Sequence, residues 1–282
     1  MTPLLLGRAA RTSPEHPTSC VVTGAARGIG RGIAERMVAR GHRVVITDVD
    51  GVAVAATAAQ IGAVAGIAQD VRDPDSHRRV ADEARRHGAL VAWFNNAGVG
   101  DAGQLAELDD EQVRRLVEVN LLGALWGSRA ALDAFAAPGG GRLRRDLVLT
   151  ASLSGLGPVP GLSVYAATKA ALVSLATSLR AEVPRGVGVH ALCPDGVATD
   201  LVRDMAEGRG KRLVHSGGRM LTVDEVADAA VGLLGSRRVV RTLPGWRGGL
   251  IRGGALLPSV TPGLLRVFEL QGRWQERRSP VE

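Results

Sequence analysis

Cysteine is nearly absent: Cys20 and Cys193 are the only two in 282 residues. Two thiols so far apart exclude a disulfide framework and leave no CxxC or zinc-ligand spacing, so no metal site is expected. A reducing, cytoplasmic setting is the expectation. Aromatics are equally scarce at 3%, which removes the stacking platforms expected of a nucleic-acid binder. Unbroken apolar runs of membrane-span length are missing as well. The uncharged stretches Gly51 to Gln69 and Leu147 to Thr168 are interrupted by Gly, Thr, Gln and Ser, and the second also by Pro158 and Pro160. Neither reads as a transmembrane helix. Leu4 to Leu6, flanked by Pro3, Arg8 and Arg11, is too short for the apolar core of a secretory signal, and residues 1–18 read as a loose leader.

What is present describes a folded chain. Hydrophobic residues make up 45% and charged residues 22%, a balance that excludes a largely disordered or collagen-like protein. The net charge of +7 is unevenly placed. From Arg237 to Glu282 nine arginines face three glutamates, so the tail carries nearly all of it and the body is close to neutral. A neutral body has no electrostatic footprint for nucleic acid.

From Cys20 onward, apolar runs bounded by turn residues alternate with longer amphipathic stretches, the pattern of repeated βαβ units around a buried parallel sheet. Strands are expected near Ser19–Thr23, Arg43–Thr47, Ala63–Ala68, Leu90–Phe94, Leu147–Ala151, Gly188–Leu192 and Arg238–Leu243. Helices are expected near Gly28–Arg40, Val52–Gln60, Asp75–His87, Asp109–Phe135, Val164–Ala181 and Val223–Leu234. The fold class is therefore α/β: a single doubly wound, Rossmann-like parallel sheet of about seven strands with helices on both faces. Three segments result: the leader 1–18, a catalytic domain 19–243 and a basic C-terminal extension 244–282. Pro138 to Gly141 reads as an exposed loop, and the long, Gly-rich stretch Thr199 to Met220 reads as a lid.

Thr23, Gly24, Gly28 and Gly30 stand in VVTGAARGIG, after the first strand and opening the first helix. Glycines there allow a tight turn and close approach to a pyrophosphate, whose charge the helix N-terminus favours. Asp48 ends the second strand, where a carboxylate accepts hydrogen bonds from ribose hydroxyls and repels a 2′-phosphate, favouring NAD over NADP. Asp48 equally suits a turn before Asp50 and Gly51, and Arg27 or Arg31 could reach a phosphate.

Further along stand Asp70-Val71, Asn95-Asn96-Ala97-Gly98, Asn120, Ser152 and Tyr165-Ala-Ala-Thr-Lys169. With the glycine turn, they give the chain from about residue 19 to 243 a resemblance to the short-chain dehydrogenase/reductase family, whose TGxxxGxG, NNAG, Asn, Ser and YxxxK signatures occur here in order. Tyr165 is the only tyrosine and Lys169 one of two lysines; random placement would give their spacing in under about 1% of arrangements. Four apart on a helix, the two share a face, and a nearby ammonium favours the phenolate. The resemblance implies Tyr165 as general acid/base, Lys169 on the nicotinamide ribose and the tyrosine pKa, Ser152 on the substrate oxygen and Asn120 in a proton relay. It implies adenine contacts from Asp70 and Val71, and a cofactor groove lined by Arg27, Ile29, Asn95, Ala97, Gly98 and Pro194. Val197 and Thr199 would hold the carboxamide.

Two features depart from the family pattern. Pro194-Asp195-Gly196 replaces the usual Pro-Gly after the sixth strand, so Asp195 either braces a turn or contacts a polar substrate group. Past Leu243 the chain continues, with an amphipathic helix expected from Pro262 to Arg278; its apolar stripe could cover the core, pair subunits or lie on an anionic membrane surface. The expectation is an NAD-dependent oxidoreductase acting on a small-molecule secondary alcohol or ketone, as a homo-oligomer. The alternatives are an NAD-binding sensor or scaffold without turnover, and a membrane-surface oxidoreductase for lipid-like substrates.

Overall fold

Seven parallel strands form one sheet in the order β3-β2-β1-β4-β5-β6-β7 in a computed structural model that describes residues 17–137, 143–255 and 261–276. The strands are β1 (Thr18–Thr23), β2 (Arg43–Asp48), β3 (Ala65–Ala68), β4 (Ala89–Asn95), β5 (Arg145–Thr150), β6 (Val187–Pro194) and β7 (Val240–Leu243). All seven fall where apolar runs predict them. Thr18, expected in the leader, opens β1, while the rest of the leader before Pro17, the loop Pro138–Gly141 and the tail from Arg277 lie outside the described residues.

The strands alternate faces with a period of two, and each face is buried under helices. Cys20, Val22, Val44, Ile46 and Phe94 pack with α1 (Gly28–Ala39), α2 (Gly51–Ile61) and α9 (Val223–Val231). Val21, Val45, Trp93, Leu147 and Val189 pack on the other side with α3 (Pro74–Arg86), α5 (Gly123–Ala136) and α6 (Ser163–Glu182). Strand order reverses between β1 and β4, which opens a crevice at the C-terminal strand ends.

Helix starts follow local chemistry. Asp50 accepts from Ala53 N–H at the start of α2, and reciprocal capping boxes open α4 (Asp110–Val117) through Asp109 and Gln112 and α9 through Thr222 and Glu225. The single helix expected over Asp109–Phe135 is interrupted by a π turn, Glu118–Leu122, between α4 and α5. Asn120 sits in that turn, where the wider winding re-aims its side chain.

The segment expected as a lid contains α7 (Asp200–Arg203) and α8 (Arg209–His215), and a bridge between Val197 and Leu221 closes its base. After β7 comes an unexpected helix, α10 (Gly245–Ala255), and then α11 (Thr261–Glu276), close to the span expected of the tail. α11 packs on α8, where Glu269 pairs with Arg209 at 2.6 Å. Among the described residues no helix is long and apolar enough to cross a membrane.

Candidate active site

A cavity of about 750 Å³ runs along the C-terminal ends of the strands, from Asp48 and Asp70 past Ser152, Tyr165 and Lys169 to Phe268 in α11. The β1–α1 turn forms one wall. Gly24 and Gly28 have φ of +62° and +58°, and a Cβ on Gly24 would come within 2.6 Å of Ala97 Cα, so only glycine lets this turn lie against the loop after β4. Thr23 Oγ1 accepts from Asn96 and Ala97 N–H at 3.0 and 3.1 Å, and the Asn96 amide donates to the Thr23 and Gly24 carbonyls.

At the centre, Ser152 stands beside the Tyr165 hydroxyl, where its side chain favours the phenolate, and its Oγ accepts from Ser154 N–H at 3.1 Å. Lys169 is buried and donates from Nζ to the Thr150 carbonyl at 2.8 Å, with Nζ 5.6 Å from the Tyr165 ring centroid. Asn120 reads both polar groups of Val99, accepting from its N–H at 2.8 Å and donating to its carbonyl at 2.9 Å. Gly98 makes this approach possible: a Cβ there would lie 3.1 Å from Asn120 Oδ1 and 3.4 Å from Lys169 Nζ.

Burial governs the ionisation here. It pushes the Tyr165 phenol up to about 12 and the Lys169 ammonium down to about 8. The expected lowering of the phenol by the cation is outweighed, because a desolvated phenolate is costly and the ammonium spends a hydrogen on Thr150. Arg72 makes paired hydrogen bonds to Asp70 and holds its carboxyl below the usual range.

The family description "short chain dehydrogenase" matches residues 18–210. The chain belongs to the short-chain dehydrogenase family. It is 33% identical over 238 residues to the probable oxidoreductase EphD of Mycobacterium tuberculosis, which covers 78% of this chain but only 40% of EphD. The chain thus spans well under half of that relative's length. It is 35% identical over 229 residues to the sorbitol dehydrogenase of Cereibacter sphaeroides, covering 76% of this chain and 88% of that one. A short-chain dehydrogenase/reductase of Burkholderia phymatum, solved in complex with NAD, superposes with a TM-score of 0.72 at 28% identity, covering 80% of this chain and 89% of that one.

In this member of the family the expected site residues divide into two groups. Gly24, Arg27, Gly28, Ile29, Asp48, Asp70, Val71, Ala97, Gly98, Ser152, Tyr165, Lys169, Pro194, Val197 and Thr199 line the cavity. Thr23, Gly30, Asn95 and Asn120 support it from behind: Gly30, for example, is where a Cβ would meet Gly24 O at 2.2 Å. Asn95 corrects the sequence reading. It lies on the Trp93 face of β4, accepts from Trp93 Nε1–H at 2.8 Å and donates to Ala124 O and Ser128 Oγ, while Asn96 lines the cavity instead. Strand alternation carried that signal, since residues 93 and 95 share a face.

Arg31 pairs with Glu35 and does not line the cavity, whereas Arg27 pairs with Asp200 of α7 at 2.8 Å at its mouth. Asp48 accepts from Ala26 N–H at 3.1 Å and is followed by exposed Val49, with no basic side chain in that position. Val49, Gln69, Arg72, Ser216 and Arg247 line the cavity without having been expected to.

Proposed function

We propose that the protein is an NAD(H)-dependent oxidoreductase that interconverts a small-molecule secondary alcohol and its ketone. The observation that carries this reading is the convergence of Ser152, Tyr165 and buried Lys169 on the same cavity as the glycine turn of β1–α1. A dinucleotide suits the residues present. The Gly24–Gly28 turn leaves backbone room at the N-terminus of α1 for a pyrophosphate, and Asp48 supplies a carboxylate where a ribose would lie. The NAD bound by the Burkholderia protein supports the same class of cofactor.

When bound, the nicotinamide supplies or takes up the hydride. The chain's own residues bind, orient and move a proton. Ser152 Oγ, on the loop after β5, is placed to hydrogen-bond the substrate oxygen. Tyr165 Oη gives its proton to that oxygen during reduction and recovers one during oxidation. Lys169 is four residues along the same helix face, a compact cation that favours the phenolate and is available to ribose hydroxyls. Asn120 acts through Val99, holding the loop that carries Ala97 and Gly98, and lies where a relay from Lys169 would pass.

The carboxylate of Asp48 favours NAD, since a 2′-phosphate beside it would meet like charge. The test is turnover of NAD+ and NADP+ with a panel of secondary alcohols, run on wild type and Asp48→Ala. NAD+ should be used with a kcat/KM at least tenfold higher by wild type, and Asp48→Ala should narrow that gap. Preference of wild type for NADP+ would contradict the cofactor assignment, and reduction of neither cofactor by any alcohol would favour a sensor or scaffold.

A further inference from the structure

Past Ser152 and Tyr165 the cavity is walled in part by the C-terminal extension. Leu250 and Ile251 of α10 and Leu265 and Phe268 of α11 line it, together with Leu153 after β5 and Leu213 of α8. This wall is built into the fold. A Cβ on Gly157 would come within 2.6 Å of Ile251 Cγ2, so a glycine there lets α10 lie against the loop that carries Ser152. Buried Arg247 clasps α10 to two other elements. It donates from Nη1 to Ser216 O at 2.8 Å and from Nη2 to Ser216 Oγ at 2.6 Å, and its Nε lies 2.8 Å from Asp195 Oδ2 at the end of β6. The same guanidinium sits over the Phe268 ring, 5.4 Å from its centroid, which ties α11 to the clasp.

The charges around this wall are already spent on one another. Apart from Lys169, Asp48 and the Asp70–Arg72 pair, each charged side chain lining the cavity is paired within the chain. Arg247 pairs with Asp195, Arg115 with Asp101 at 2.6 Å, Arg27 with Asp200 at 2.8 Å and Asp204 with Arg203 at 3.6 Å. A charged guest would have to break one of these pairs, and hydroxyls laid against leucine, isoleucine and phenylalanine would lose their bonds to water. Hydrocarbon gains there instead: Leu250 is 46% exposed and Leu265 and Phe268 are only half-buried, leaving apolar surface for a guest to cover. We infer that α10 and α11 form a specificity wall for an uncharged alcohol or ketone carried on a bulky hydrocarbon body, which extends from the reacting carbon at Ser152 and Tyr165 towards the extension. This inference rests on the oxidoreductase reading above.

The test compares cyclohexanone, 2-decalone, a carboxylated decalone and a polyhydroxylated decalone, by calorimetric binding to the full-length protein with NADH and by KM and kcat. 2-Decalone adds four carbons to cyclohexanone, and each fully buried methylene tightens binding about fourfold. With partial burial, 2-decalone should bind wild type at least about tenfold more tightly than cyclohexanone. The carboxylated and polyhydroxylated compounds should bind at least about tenfold more weakly than 2-decalone. Phe268→Ala and Leu250→Asn should each cut the advantage of 2-decalone over cyclohexanone by at least about threefold, through KM rather than kcat, and Phe268→Leu should restore most of it. Should Phe268→Ala not fold, Leu250→Asn, at a half-exposed position, gives the same readout.

A smaller advantage for 2-decalone in wild type, tighter binding of the carboxylated or polyhydroxylated compound, or an advantage that survives the substitutions would overturn the inference. An advantage in binding that the substitutions reduce, without turnover of any compound, would support the wall while contradicting the oxidoreductase reading. Turnover with no preference for the larger ketone would do the reverse.

Discussion

Lys169 is the residue at which function and stability oppose each other. Its ammonium is buried, and burial lowers its pKa to about 8 from an ordinary value near 10.5. Between those two values the unfolded chain holds a proton that the folded chain has released, so stability rises with pH across that window and the full cost applies below about 8. Lys169→Met removes the buried charge at the loss of one hydrogen bond to Thr150. At pH 7 it should stabilise the protein by about 1 to 3 kcal/mol in urea unfolding, an advantage that fades as pH approaches 10.5. A Met variant less stable than wild type at pH 7 would show that the ammonium is well solvated by its surroundings. At this scale the sequence reading located Tyr165 and Lys169 because a helix brings residues four apart onto one face. It mistook Asn95 for Asn96, although the strand period distinguishes them. The Asp195–Arg247 pair was not legible, because nothing local links the end of β6 to a helix beyond β7.

Among elements, the strands of the sheet were legible because each is a short, doubly buried apolar run. α10 was not: its sequence GWRGGLIRGGA holds five glycines, and propensity argues against a helix that packing on β7 stabilises. The π turn around Asn120 was equally hidden, since the periodicity of α4 and α5 runs through it. Near the start of β5, Asp146 forms a buried link between strands that the sequence reading overlooked. It accepts from Gly235 N–H at 3.0 Å and bonds His190 Nε2 of β6 at 2.9 Å, while His190 Nδ1 reaches the Arg238 carbonyl just before β7. Asp146→Ala leaves buried His190 without this partner and frees the Gly235 N–H at the exposed end of the link. Chemical denaturation should show a loss of about 2 to 4 kcal/mol, with cofactor affinity measured under native conditions unchanged. A loss under about 0.5 kcal/mol would mean that water replaces the carboxylate freely.

For the whole molecule, the basic extension belongs to the cavity wall. Leu265 and Phe268 line the cavity, and Glu269 ties α11 to Arg209, whereas Leu270 and Trp274 remain exposed. Truncation after Pro258 should lower the melting temperature by about 4 to 10 °C at any salt concentration, from loss of the partial burial of Leu265 and Phe268 and of the docking of α11 on α8. An unchanged melting temperature, with loss of salt-sensitive binding to anionic vesicles, would instead assign the extension to a membrane surface.

The central claim is that Tyr165 transfers the proton while the rest of the cavity positions the reactants. Tyr165→Phe keeps the ring and removes only the hydroxyl beside Ser152. The decisive measurement is steady-state turnover of wild type and this variant with NADH and a ketone substrate, alongside a fluorescence titration of NADH. NADH affinity should stay within threefold of wild type while kcat falls by at least about 100-fold. Turnover within a few-fold of wild type, at equal cofactor affinity, would contradict the claim.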